Sequence, residues 1–403
     1  MKKLMILGGS AFIIPVIEKA HELGCYVITC DYLPDNTAHK YSDEYCDVSV
    51  IDKEAVLEAA RKHEVDGIIS FACDPGVVSA AYAAEKLGLP FQGPYESVRI
   101  LQDKGLFRKY LEEHGFNSPH SKRYTDKEAP FGDIDYFSWP VIVKPVDSAG
   151  SKGVTKVETP DKLAEAIEIA LSECHNGAFI IEDFITFKRY HADGDFFTVD
   201  GKLVFAQLAD QLNDENAVNP FTPTMLIWPS SMTKEEEKAL VGEVQKLMYS
   251  LNMKTGIYNV EACIASDNKP YIMEVSPRGG GCRIAEIQKM AYGPDLIENE
   301  IRKAVGMPLT DIWEGECDGH WVQIDIHSKN DRDRILKSIT VDPEIEKNNI
   351  KYSMITAKPG DVVKPFTGAN MTLGDFFLRF DSREELDRTM ADTEKWVNIE
   401  FED

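Results

Sequence analysis

Positive charge is what this sequence has least of. Its 403 residues carry 44 Lys and Arg against 68 Asp and Glu, a formal net charge of −24. Nucleic acids are held through their phosphates by clustered Lys and Arg, so that balance excludes a nucleic-acid partner. Long apolar runs are missing too: none approaches the roughly 18 residues that cross a bilayer, and no membrane partner is expected. Met1-Lys2-Lys3-Leu4-Met5-Ile6-Leu7 superficially resembles a signal peptide, but Gly8-Gly9-Ser10 breaks it and Pro15, Glu18 and Lys19 follow. The eight cysteines contain no C-x-x-C pair, and several sit in apolar runs such as Gly24-Cys25-Tyr26-Val27-Ile28. That usage argues against a disulfide framework and for buried free thiols, with a cytoplasmic location as the expectation.

What is present is ordinary for a globular protein: 43% hydrophobic and 28% charged residues. The length suggests two or three domains. The first hundred residues alternate strand-like and helix-like text. Strands are read at 4–7, 26–29 and 67–71, and helices at 13–23, 53–62 and 77–87. Such alternation implies a parallel sheet flanked by helices, an open α/β unit over residues 1–95. Helical text resumes at 97–114. A Pro- and aromatic-rich stretch (Pro119, Pro130, Trp139, Pro140) then marks a boundary. Beyond it come strands at 141–144, 154–157 and 179–181, a helix at 161–174, and a meander from Ala192 with an Asp200-Gly201 hairpin turn. A charged helix at 234–251 and a hairpin at 256–272 follow. The tail from about 310 reads as α+β.

Two familiar nucleotide loops are absent. From Gly8 the sequence reads Gly-Gly-Ser-Ala-Phe-Ile, which lacks the later glycines of G-x-G-x-x-G, and no Gly-Lys-Ser/Thr enters a helix. The informative segments lie between residues 104 and 283. Lys104 opens a helix after Asp103, a capping residue. Lys144 ends an apolar strand beside the polar loop 147–153, a setting suited to polyphosphate oxygens as well as to a plain surface hairpin. Glu182 leaves the strand 179–181, where it fits either the amino edge of a base or a turn. Glu261 and Glu274 fall on facing strands of one hairpin, where adjacent carboxylates repel unless a cation lies between them. Arg278 and Arg283 flank Gly279-Gly280-Gly281, a bidentate anion clamp in a loop that admits ligand to the backbone.

In this order the parts resemble the ATP-grasp superfamily of carboxylate–amine ligases, with amino-acid-ligase-like features and a carbamoyl-phosphate-synthase-like ATP-grasp domain. The resemblance rests on Gly8-Gly9-Ser10, Lys104, Val143-Lys144-Pro145, the 147–153 loop, Glu182-Asp183-Phe184-Ile185, Glu261 and Glu274-Val275-Ser276-Pro277-Arg278. It implies three units: an N-terminal α/β pre-ATP-grasp domain (1–95), a two-subdomain ATP-grasp fold (96–310) and a C-terminal α+β domain (311–403). Within the second lie a helical linker (96–115), a lid (116–188) and a larger subdomain (189–310).

The resemblance also implies roles. ATP would be held by Lys104, Lys144, Ser148, Ser151 and Gly153 at its phosphates and by Glu182, Asp183, Phe184 and Ile185 at the adenine edge. Glu261 and Glu274 would bind Mg²⁺ or Mn²⁺. Arg278 would bind the reacting carboxylate or acyl phosphate, with Gly280 and Arg283 beside the substrate. Ser276 stands where many relatives have a metal-binding Asn, and Arg189 where many have a ribose-binding Glu, leaving His191 or Asp193 as substitutes. The implied partners are a small carboxylate and an amine, and a homodimer is compatible with the pattern. The implied reaction forms an acyl phosphate and then an amide. The alternatives are a purine-pathway or biotin-carboxylase-like ATP-grasp enzyme, an NAD-dependent oxidoreductase and an inactive nucleotide-binding module.

Overall fold

A computed structural model of the chain describes every residue except Ala149, His175 and Asp403, and Asn370 through its backbone alone. Its first sheet is parallel, with strands in the order 44–47, 26–31, 3–7, 67–70. Leu4 to Leu7 are all fully buried, as an unbroken apolar run must be when helices cover both faces. The edge strand Glu44–Asp47 was not anticipated, because its text Glu-Tyr-Cys-Asp has no apolar run. The turn after the first strand is packed by its own neighbouring side chains. Asn36 and His39 lie where a Cβ on Gly9 would stand, and Asp31 accepts hydrogen bonds from Asn36 and Leu33.

The helical text at 97–114 divides into Tyr95–Gln102 and Lys104–Glu113. Asp103 between them is extended, and its carboxylate accepts from the Gly105 and Leu106 N–H groups. A four-stranded antiparallel sheet follows, ordered 121–124, 179–183, 141–145, 155–157 and covered by the helix Leu163–Ser172. That helix is shorter than expected, since Pro160–Lys162 form a separate 3₁₀ turn.

The floor of the molecule is a nine-stranded sheet. Its path runs 270–276, 256–265, 187–199, 209–213, 223–228, 320–326, 374–380, 350–355, with 202–206 paired to 187–199. Strands from beyond residue 310 therefore continue the sheet that begins at 187. The meander starts five residues earlier than expected, at Phe187 rather than Ala192, and the Asp200-Gly201 turn joins its first two strands. The helix Lys234–Ser250 packs beneath this sheet. Thr233 and Glu236 form a reciprocal capping box at its start, each side chain accepting from the other's backbone N–H. Thr233→Ala is expected to cost about 1 kcal/mol, measured as a lower urea midpoint at unchanged slope.

Candidate active site

The site is assembled where the edge of the parallel sheet, the four-stranded sheet and the long sheet meet. On the long sheet, strand registry does the placing. Glu261 and Glu274 face each other directly, and Asp193 is the partner of Glu261 on its other side. Three adjacent strands thus carry Asp193, Glu261 and Glu274 abreast on one face. One step along, Asp195, Asn259 and Ser276 form a second row. Burial, then the neighbouring Glu274, push the Glu261 carboxyl up to about 7. Burial pushes the fully enclosed Asp195 up to about 7 as well, although the Gly280 N–H donates to it at 2.8 Å.

Cations face these rows from three directions. Lys104, at the first turn of its helix, lies 3.0 Å from Glu274 and donates to the Ser148 carbonyl at 3.2 Å. Burial alone would lower its pKa, but Glu274, Asp74 and Glu261 outweigh that and raise it. Lys144 pairs with Glu182, whose other oxygen accepts from Arg108 Nε at 2.9 Å. Both flanking cations hold the buried Glu182 carboxyl down to about 2 against its desolvation. Arg278 makes a bidentate pair with Asp74, Nε to Oδ1 at 2.9 Å and Nη2 to Oδ2 at 2.6 Å.

Several expected residues have other partners. Glu182 faces Arg108 and Lys144, not the edge of a base. The backbone N–H groups of Asp183 and Phe184 donate to the His120 and Pro140 carbonyls. Ser276 Oγ donates to Asp74 at 2.8 Å and accepts from Gln102 at 2.6 Å. The Gly280 N–H is taken by Asp195, not left to a substrate. In the 147–153 loop Ser151 Oγ donates to the Phe221 carbonyl at 2.9 Å, and Gly153 adopts φ +71°; Ala149 lies outside the described residues. Arg189 pairs with Glu236, away from the site. His191 lies on the carboxylate face. Burial, with Lys144 nearby, lowers it to about 4, so its imidazole is neutral at pH 7, and its Nε2 has no partner.

Two residues that sequence reasoning missed complete the geometry. Asp74 opens a helix at the carboxyl end of the strand 67–70, the edge where open α/β sheets bind ligands, and that position was a readable signal. Next to it, Phe71 packs on Gly279 so closely that a Cβ there would lie 2.1 Å from the ring. Arg108 carried no such signal, because it reads as one more charge on an amphipathic helix.

Among the described residues no three His, Cys, Asp or Glu converge on one metal position. The donor set nevertheless fits Mg²⁺, which takes one or two carboxylates and completes its shell with phosphate oxygens and water. Glu261 and Glu274 are such a pair, and Glu261 has no ion-pair partner among the described residues. A cavity of about 800 Å³ lies elsewhere, bordered by Phe91, Lys254 and Lys303, and shares no residue with this site.

Residues 137–286 match the family model of the ATP-grasp domain. The chain carries an ATP-grasp domain. It is 24% identical over 386 residues to the formate-dependent phosphoribosylglycinamide formyltransferase of Bacteroides thetaiotaomicron, covering 93% of this chain and 92% of that protein. It is 22% identical over 371 residues to an ATP-grasp enzyme of Aspergillus fumigatus, covering 80% of this chain but only 63% of that longer protein. The L-amino acid ligase of Bacillus licheniformis has the same fold, with a TM-score of 0.83, 20% identity and coverage of 100% and 99% of the two chains. The parallel sheet at the N-terminus and the ATP-grasp fold are as the sequence led one to expect. No helix among the described residues is long and apolar enough to cross a membrane.

Proposed function

We propose that the chain is an ATP-dependent carboxylate–amine ligase that activates a small acid as its acyl phosphate and passes the acyl group to an amine. The observation that carries this reading is the meeting of Lys104, Lys144 and Arg278 over the carboxylate pair Glu261 and Glu274. Mg²⁺ held by that pair, with ATP phosphate oxygens completing its shell, would neutralise charge on the transferring phosphoryl group.

The protein's own groups account for the rest. Lys104 and Lys144 donate N–H bonds to the polyphosphate while Glu274 and Glu182 hold them in place. Both lysines are already oriented, so little reorganisation accompanies charge movement. Arg278 is fixed by Asp74 and offers its remaining N–H groups to the reacting carboxylate. That carboxylate attacks the γ-phosphorus, and ADP leaves. The 147–153 loop, anchored at Ser151, covers the phosphates and keeps water from the acyl phosphate. The amine then attacks the acyl carbon, and the C–O bond breaks to release phosphate.

The purine-pathway alternative places a phosphoribosyl group on the amine, which needs cations around the acceptor. The side chains that meet Arg283 are instead Glu286, Met354 and Tyr352, none of them a cation, which favours an acceptor without phosphate. The test is a coupled assay of ADP release over pairs of small acids and amines with Mg²⁺. Release that needs one acid and one amine together is expected; release indifferent to both would contradict the ligase reading.

A further inference from the structure

The cavity of about 800 Å³ has no part in the chemistry proposed above, and three stretches of chain converge on it. Residues 85–94 carry the end of the helix Asp74–Leu87 and the link that leaves the parallel-sheet unit. Residues 199–200 and 254–255 lie at one end of the long sheet, where the strands 187–199 and 256–265 stop and start. Residues 303–309 close the helix Leu296–Ala304 and run past it. The volume falls within the roughly 300–1,000 Å³ of pockets that enclose small organic ligands. Its wall is largely apolar, built from Leu89, Phe91, Val199, Met307 and Leu309.

One buried charge stands in that wall. Lys303 is 7% exposed, and its ammonium lies 5.4 Å from the centre of the Phe91 ring, itself part of the lining. Of the three N–H groups of an ammonium, one donates to Glu300 Oε1 at 2.7 Å, and no other acceptor among the described residues meets it. Glu300 is shared. The same oxygen accepts from Gln92 Nε2 at 2.8 Å, and the other from the Ile257 N–H at 3.0 Å. Burial accordingly outweighs Glu300 and lowers the Lys303 pKa. The other charged residues of the lining, Glu85, Asp200 and Lys254, are exposed at its mouth. An under-compensated cation set in an apolar wall matches a ligand with one anionic group and an apolar body.

We infer that this cavity is a binding site for a small monocarboxylate with an apolar body, a medium-chain or aryl-substituted acid. Its carboxylate accepts from Lys303, and its body packs on Phe91, Met307 and Leu309. Lys254 at the mouth adds a second positive charge. Because Lys303 is buried, the ligand must enter the cavity, which a flat protein surface does not do. The inference is independent of the ligase reading, since the cavity shares no residue with the candidate active site.

The test is isothermal titration of the full chain with octanoate and with 4-phenylbutyrate, each set beside its carboxamide. At least one acid is expected to bind, and its carboxamide to bind about tenfold more weakly, the loss of one charge-assisted hydrogen bond. Lys303→Met keeps the stem and removes the charge, and should weaken the acid about tenfold as well. Lys254→Glu alters only an exposed side chain and should weaken it about threefold. If Lys303→Met does not fold, Lys254→Glu and the carboxamides decide the matter. The inference is overturned if neither acid binds, if the carboxamides bind as tightly, or if affinity ignores both substitutions. Affinity that falls with Arg278→Lys and not with Lys303→Met would place the acid in the candidate active site, and overturns it equally.

Discussion

Glu274→Ala is expected to lower Mg²⁺-dependent ATP turnover by about a thousandfold or more, with the fold intact. Glu274 has two tasks in this geometry: it is one of two facing carboxylates that can hold the metal, and it orients Lys104 from 3.0 Å. Losing a single preorganised electrostatic contact in an active site typically costs a hundred- to a thousandfold, and here one substitution removes a metal donor and loosens a phosphate-binding lysine together. The side chain is partly exposed, so its removal leaves no large cavity. Turnover in the variant, set beside its urea midpoint, separates lost chemistry from lost stability. Turnover near that of the unaltered protein would remove Glu274 from the metal site.

The largest expected effect on stability is at Glu182. Arg108 and Glu182 expose 2% and 3% of their side chains, and Lys144 exposes 12%. Glu182→Ala leaves two cations facing each other out of water, and breaking a buried charge group in this way costs about 3–5 kcal/mol. The helix Lys104–Glu113 would lose one of its ties to the four-stranded sheet in the same step. Acid should act in the same direction. The Glu182 carboxyl is held at about 2, below its ordinary 4.5, so the stability it contributes is complete above pH 4.5 and is lost as pH falls towards 2. Urea midpoints at pH 7 and pH 3 should therefore converge between the variant and the unaltered protein. A constant gap across that range would show that the network does not couple folding to protonation.

Much of the fold was legible because the parallel sheet and the Glu261–Glu274 hairpin are written in local text. Apolar runs bounded by Gly24 and Gly88 mark the first, and Asp267-Asn268 between alternating strands marks the second. The residues that failed the reading are those whose partners lie far off in sequence. Ser276 is bound to Asp74, 202 residues away, and Arg108 to Glu182, 74 away. No local pattern reports such pairings. The carboxylate row was half visible: Asp193 was singled out, but as a ribose ligand. Its place beside Glu261 follows from strand order, because the strand 187–199 pairs with the far one, 256–265, and not only with its sequence neighbours.

The account's central claim is that phosphate passes from ATP to a carboxylate before the amide forms. It is tested most directly by labelling the acid partner's carboxylate with ¹⁸O and examining the products by mass spectrometry. Attack on the γ-phosphorus followed by cleavage of the C–O bond must leave one carboxylate oxygen on phosphate, so one ¹⁸O in each phosphate released, together with ADP, is the predicted result. Phosphate free of ¹⁸O, or AMP in place of ADP, would contradict the account.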